Sequence, residues 1–108
     1  MNIVQIPSPG RSWLFTPATR PERFVNALES GADVLIVDLE DAVPPAEKFA
    51  ARANVRALLD SASRESLPLL AIRINSSSCR FGLEDLLMLL DVEVAPDFVL
   101  LPKVESPE

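Results

Sequence analysis

Four short apolar runs, with a stretch of helical periodicity between each and the next, constrain this chain more than any other feature. Residues 12–15 are brief and carry Trp13 and Phe15. Val34-Leu35-Ile36-Val37 is continuous and largely β-branched. Residues 69–74 form a third run, interrupted by Arg73, and residues 98–101 a fourth. An unbroken apolar run of strand length is what a strand covered on both faces requires. The starts at 12, 34, 69 and 98 lie 22, 35 and 29 residues apart, which leaves room for one crossover helix each time. Repeating units near 30 residues with a helix in each read as βαβ, and therefore as a parallel sheet.

The intervening segments carry helix signals. Thr19-Arg20-Pro21 offers a cap and a first-turn proline, residues 22–30 follow with Phe24, Ala27 and Leu28 on a stripe, and Gly31 is a stop. Pro44-Pro45 opens a second helix through Phe49, Ala53, Leu58 and Leu59, with Glu47, Lys48, Arg52 and Arg56 expected outward. A third begins near Gly82, carries Leu83, Leu86, Leu87 and Leu90, and ends before Pro96. The fold expected is α/β, built of parallel (β/α) units with four strands.

Charge and residue inventory narrow the chemistry. With 10 Lys+Arg against 16 Asp+Glu, the 108-residue chain has a net charge of −6, which argues against nucleic acid or an anionic membrane as partner. There is no histidine and only one cysteine, Cys79. A Cys-His nucleophile, a Ser-His-Asp triad and the usual zinc sites are thereby excluded, and no internal disulfide can form. A lone thiol, no apolar or basic leader in residues 1–10 and no run approaching ~20 apolar residues lead to the expectation of a cytoplasmic protein. The glycines are Gly10, Gly31 and Gly82, so no glycine-rich phosphate loop is present.

In parallel α/β folds, functional groups gather at the carboxyl ends of the strands. The second run ends in Asp38-Leu39-Glu40-Asp41, the third in Arg73-Ile74-Asn75 and the fourth leads to Lys103-Val104-Glu105; the first leads to Thr16 and Arg20. Arg73 is the most informative. A guanidinium inside an apolar strand must be paired, because an unpaired buried charge costs several kcal/mol. It is open to two readings that are compatible: a salt bridge to the carboxylates after the second run, or a fork that grips a substrate carboxylate bidentately. Alternation places Asn75 on the same face as Arg73. The Asp38, Glu40, Asp41 cluster could ligate a hard cation such as Mg²⁺, hold the waters of one fixed elsewhere, or cap the second helix. Three carboxylates this close need a cation nearby. Lys103 and Glu105 alternate onto one face and are equally well explained as a solvated ion pair.

Taken in order, Arg11-Ser-Trp-Leu-Phe-Thr-Pro-Ala-Thr-Arg-Pro-Glu-Arg-Phe24, Ser30-Gly-Ala-Asp33, Asp38-Leu-Glu-Asp-Ala-Val-Pro44, Lys48 with Ala51-Arg52, Arg73-Ile-Asn75 and Leu101-Pro-Lys-Val-Glu105 resemble citrate lyase β-subunit-like proteins of the HpcH/HpaI aldolase family. Malyl-, citramalyl- and β-methylmalyl-CoA lyases are relatives in that group. The resemblance implies a TIM-type (β/α)8 barrel, of which residues 1–108 form a single partial domain, the N-terminal half. It implies Mg²⁺-dependent retro-Claisen cleavage of a hydroxyacyl thioester (citryl-, malyl- or citramalyl-CoA or its carrier-protein equivalent). Arg73 is then the catalytic and substrate-binding arginine. Glu40 and Asp41 support the metal through its waters, Arg20 and Arg23 are candidate CoA or phosphate contacts, and Asp38, Asn75, Lys103 and Glu105 are supporting residues. The family's direct metal ligands come from later strands, so they are expected beyond Glu108 and the chain alone is expected to be catalytically incomplete.

The alternative is a non-catalytic half-barrel that dimerises or binds a small carboxylate at Arg73. In both cases a small hydroxy- or oxo-acid is the expected ligand and a homo-oligomer the expected state. The edge strands would be unpaired, and the inner faces of a half-barrel would lie open to water.

Overall fold

The computed structural model describes residues 2–4, 12–61, 68–76 and 78–102. Five strands form one parallel sheet: β1 (Asn2–Val4), β2 (Trp13–Pro17), β3 (Val34–Asp38), β4 (Leu69–Arg73) and β5 (Phe98–Leu100), in the spatial order β1-β5-β4-β3-β2. The four expected strands are all present, and the parallel α/β class is as read. The fifth, β1, is an addition: it pairs with β5 in register Asn2 to Phe98, so β5 is not an edge. Three residues without alternation gave no strand signal of their own.

Each crossover from β2 through β5 carries a helix. After β2, a 3-10 turn over Pro21–Arg23 runs into α1 (Phe24–Leu28); Gly31, at φ 85°, sits in the left-handed region that ends it. After β3, a second 3-10 turn over Pro45–Glu47 leads into α2 (Lys48–Ser61), with Pro45 supplying the fixed φ of a first turn. After β4 comes α3 (Arg80–Asp91).

The helices all lie on one side of the sheet. Leu35, Val37, Leu70, Ile72 and Val99 point to that side and join Phe24, Ala27, Ala51, Val55, Leu58, Leu59, Met88 and Leu89 in the main core. The opposite face holds strand residues alone: Val34, Ile36, Ala71 and Leu100, packed with Trp13, Leu69 and Phe98. Successive neighbouring strands with every helix on one side are the singly wound arrangement from which barrels are made, since right-handed crossovers that keep one direction never change face. The expectation of an inner face open to water is corrected here. Val34, Ile36 and Ala71 are 0% exposed, because large side chains at Trp13, Leu69 and Phe98 close over them.

The helix faces also differ from expectation. The buried stripe of α2 is Lys48, Ala51, Val55, Leu58 and Leu59, whereas Phe49 is 80% exposed. Lys48, expected outward, is buried, and Arg52 is nearly so; Arg56 does face outward, paired to Asp91 at 2.6 Å. In α3 the buried residues are Gly82, Asp85, Met88 and Leu89, while Leu83, Leu87 and Leu90 are exposed. Gly82 is required where it stands: a Cβ would overlap the carbonyl of Ser76 and come within 2.6 Å of the Asn75 carbonyl oxygen. The helix therefore starts in direct contact with the chain leaving β4.

Candidate functional site

The register decides which strand-end groups meet. Asp38 of β3 lies directly beside Arg73 of β4, both the last residues of their strands and both on the face away from the helices. The guanidinium forks onto the carboxylate, Nε donating to Oδ1 at 2.9 Å and Nη2 to Oδ2 at 2.7 Å. Asp38 also accepts the backbone N–H of Glu40 at 2.8 Å and of Ala42 at 3.0 Å. With four donors on two oxygens, Asp38 is saturated. Burial works to raise its pKa, but the Arg73 guanidinium and the two N–H groups outweigh that and hold it below the ordinary value. The salt-bridge reading of Arg73 is thus present in the fold, and it also orients the guanidinium and folds the 38–42 turn.

That turn brings two further carboxylates to Arg73. Glu40 Oε1 lies 3.8 Å from Nε and Asp41 Oδ2 3.8 Å from Nη2. Burial, followed by the neighbouring Asp41 carboxyl, pushes Glu40 up from its ordinary value, with Arg73 opposing. Arg73 itself is held above its ordinary range, chiefly by the hydrogen bond to Asp38. Its side chain remains 27% exposed, and among the described residues Nη1 has no acceptor. The Phe15 ring, half exposed on the neighbouring part of the same face, lies 5.8 Å from the guanidinium carbon. The result is a solvent-reaching guanidinium edge flanked by two carboxylates and one aromatic ring.

These groups suit the water shell of a cation better than the bare ion. Asp38 is committed to Arg73, and no group of three or more His, Cys, Asp or Glu side chains arranged for a metal occurs among the described residues. Glu40 and Asp41 can accept hydrogen bonds from waters of a Mg²⁺ ion, which characteristically keeps several.

Asn75 does not share the face of Arg73, contrary to the alternation argument, because the chain leaves the sheet after Arg73. Its side chain is buried, donating to the Leu39 carbonyl at 2.9 Å and Asp85 Oδ2 at 2.7 Å, and accepting from Lys48 Nζ at 2.7 Å. Arg20 follows β2 on the same side of the fold as the other strand ends and is exposed, 3.8 Å from Glu22. Arg23 lines an apolar-walled depression with Leu14, Phe15, Thr16, Asn26 and Ala27, and neither arginine touches the Arg73 cluster. Lys103 and Glu105 lie outside the described residues.

Sequence reasoning missed the layer beneath the site. Helix α2 ties down the chain leaving β2, β3 and β4: Asn54 Nδ2 donates to the Ala18 carbonyl at 2.9 Å, Lys48 to the carbonyls of Leu39 and Glu40 and to Asn75 Oδ1, and Arg52 Nε to Asp85 at 3.0 Å. Asp85 in turn accepts the Asn75 backbone N–H at 2.9 Å. The available signal was the 3.6-residue spacing of Gly82, Asp85 and Leu89, which puts an acid on the same face as residues that must be inside.

Comparison with known proteins places this geometry in context. Residues 11–108 match the HpcH/HpaI aldolase/citrate lyase family. The citrate lyase subunit beta-like protein of Mycobacterium tuberculosis is 42% identical over 97 residues, covering 90% of this chain and 33% of the relative. The L-malyl-CoA/beta-methylmalyl-CoA lyase of Cereibacter sphaeroides is 36% identical over 97 residues, covering 89% of this chain and 30% of that enzyme. The crystal structure of CitE from M. tuberculosis in complex with magnesium, acetoacetate and coenzyme A superposes with a TM-score of 0.72 at 41% identity, over 90% of this chain and 33% of that one. The chain thus spans about a third of the length of these relatives.

Proposed function

Since the chain belongs to the HpcH/HpaI aldolase/citrate lyase family, we propose that it carries the substrate-gripping arginine and acidic turn of a Mg²⁺-dependent carbon–carbon lyase. Its substrate class is a hydroxyacyl thioester of the citryl-, malyl- or citramalyl type, cleaved by retro-Claisen chemistry. Residues 1–108 are one partial-barrel domain of that enzyme, acting in the cytoplasm as part of a homo-oligomer. The reading is supported most by one observation: a guanidinium fixed by Asp38 at the carboxyl end of a parallel sheet, with Glu40 and Asp41 at 3.8 Å and one edge still open to solvent.

The roles follow from the charges. Arg73 offers two-point recognition to a carboxylate or to an oxygen that gains charge as the bond breaks, and it costs no reorganisation because Asp38 holds it in place beforehand. Glu40 and Asp41 orient waters that surround the cation, and they supply negative charge beyond that of Asp38, which already pairs with Arg73. Mg²⁺, when bound, supplies Lewis-acid stabilisation of negative charge on oxygen. Arg20 and Arg23, exposed beyond the end of β2, are the candidates for the phosphates of coenzyme A. Direct metal ligands are assigned in this reading to strands other than β1 to β5.

Calorimetric titration with oxaloacetate tests this. Binding should weaken by about tenfold to a hundredfold in Arg73→Ala, the range for a charge-assisted hydrogen-bond pair. An Arg73→Ala variant that binds as the parent does refutes the assignment.

A further inference from the structure

Lys48 stands where an ammonium is least comfortable. It is the first residue of α2, at the positive end of the helix dipole, and it is 7% exposed. Its nearest described partners are not carboxylates. Nζ donates to the Leu39 carbonyl at 3.0 Å, the Glu40 carbonyl at 3.2 Å and Asn75 Oδ1 at 2.7 Å, with the Phe81 ring 5.5 Å away. A buried cation compensated by neutral acceptors carries a desolvation penalty that only well-made hydrogen bonds offset.

What those bonds hold is informative. Leu39 and Glu40 are the backbone from which the Glu40 and Asp41 carboxylates project, and Asn75 follows Arg73 by two residues. The ammonium therefore joins the acidic turn of β3 to the chain leaving β4, directly behind the Asp38–Arg73 fork. Asn75 passes the connection to Asp85, and Asp85 passes it to Arg52, four residues after Lys48 on α2. The loop of contacts closes on the helix it started from, so none of its members can shift alone.

We propose that Lys48, acting through Asn75, Asp85 and Arg52, is a positioning residue that fixes the Glu40 and Asp41 carboxylates relative to Arg73 and so sets the affinity of the site for a Mg²⁺–oxo-acid pair. The ligand rests on the lyase reading above; the positioning does not. A lysine that merely anchored α2 to the sheet would contribute to stability everywhere alike.

Amide hydrogen exchange separates these roles without any ligand. The Glu40 and Ala42 amides, both bonded to Asp38, report on the acidic turn, and the Ile72 amide in the middle of β4 reports on the whole fold. In Lys48→Met, exchange at Glu40 and Ala42 should rise about tenfold relative to Ile72, the loss of one buried hydrogen bond's worth of local order. Lys48→Arg, which keeps the charge and donors, should restore part of that protection. The isosteric Asp85→Asn probes the same connection from its far end and should loosen the same two amides. Oxaloacetate binding in the presence of Mg²⁺ should weaken about tenfold in Lys48→Met. Protection that falls in equal proportion at all three amides overturns the positioning role. Selective loosening in a chain whose parent binds no oxaloacetate upholds the positioning and overturns the substrate-gripping reading of Arg73 instead.

Discussion

Replacing Gly82 with alanine sets two physical effects against each other, and the structure decides the sign. Gly82 lies inside α3, where alanine is the better helix former by about 1 kcal/mol. On propensity alone Gly82→Ala should stabilise. The added Cβ, however, would occupy the space of the Ser76 carbonyl and approach the Asn75 carbonyl oxygen to 2.6 Å. Both obstacles are backbone, so neither can rotate away as a side-chain tip would. Overpacking of this kind costs about 1–3 kcal/mol or more. Moving α3 outward to relieve it stretches the bonds from Asp85 to the Asn75 N–H and side chain, at 2.9 and 2.7 Å, which adds roughly another 1 kcal/mol. The net expectation is a loss of about 2 kcal/mol, or roughly 8–16 °C in Tm for a domain of this size. Thermal and urea unfolding followed by circular dichroism measure it, with an unchanged urea slope showing that the native state is still compact. Gly31→Ala is the control: φ is 85° there but nothing lies within 4 Å of the new Cβ, so only the backbone cost of about 1–2 kcal/mol applies. A Gly82→Ala protein as stable as its parent would refute the contact argument.

The acid side of the pH–stability curve should carry the mark of Asp38. Its folded pKa lies below the ordinary 3.8, so its contribution is complete above that value and is lost as pH falls through the folded pKa. In Arg73→Met burial is left to raise Asp38 and this loss should shrink or reverse; urea midpoints between about pH 2 and 6 that run parallel in the two proteins would contradict it. Glu40 has the opposite sign: raised above its ordinary 4.5, it makes stability decline as pH climbs from that value through the folded one, and Glu40→Gln should remove the decline. Finally, among the described residues β2 has no neighbour on its outer side, and Leu83, Leu87, Leu90 and Phe49 are exposed, so the chain should self-associate. A sharp monomer in sedimentation velocity, with cooperative unfolding, is the outcome that sinks this expectation.

The sheet was legible because its strands are continuous apolar runs, and the Asp38–Arg73 pairing because strand ends in parallel folds share a level. The helix faces were not. Leucines at 83, 87 and 90 repeat at helical spacing just as a buried stripe would, and nothing local distinguishes an exposed apolar stripe from a core one. The polar residues were misplaced for the complementary reason. Lys48 and Asp85 are inside because carbonyls and amides from segments far away in the chain need donors and acceptors there, a demand that exists only once the strands are side by side. Asn75 was misassigned because two-residue alternation stops applying where the strand does.

The position of β1 bears on how the molecule assembles. Every other strand meets its partner across one crossover, Val34 with Leu69 for example, 35 residues on. Asn2 must wait for Phe98, 96 residues away. Loop-closure entropy makes that pairing costlier by about 0.9 kcal/mol than the Val34–Leu69 one, for only three residues of ladder. During synthesis on a ribosome the first strand therefore emerges long before its neighbour exists, while β2, β3 and β4 can already associate in the order they are made. β1 can pair only after β5 exists, and the side of β5 it covers stays available until then.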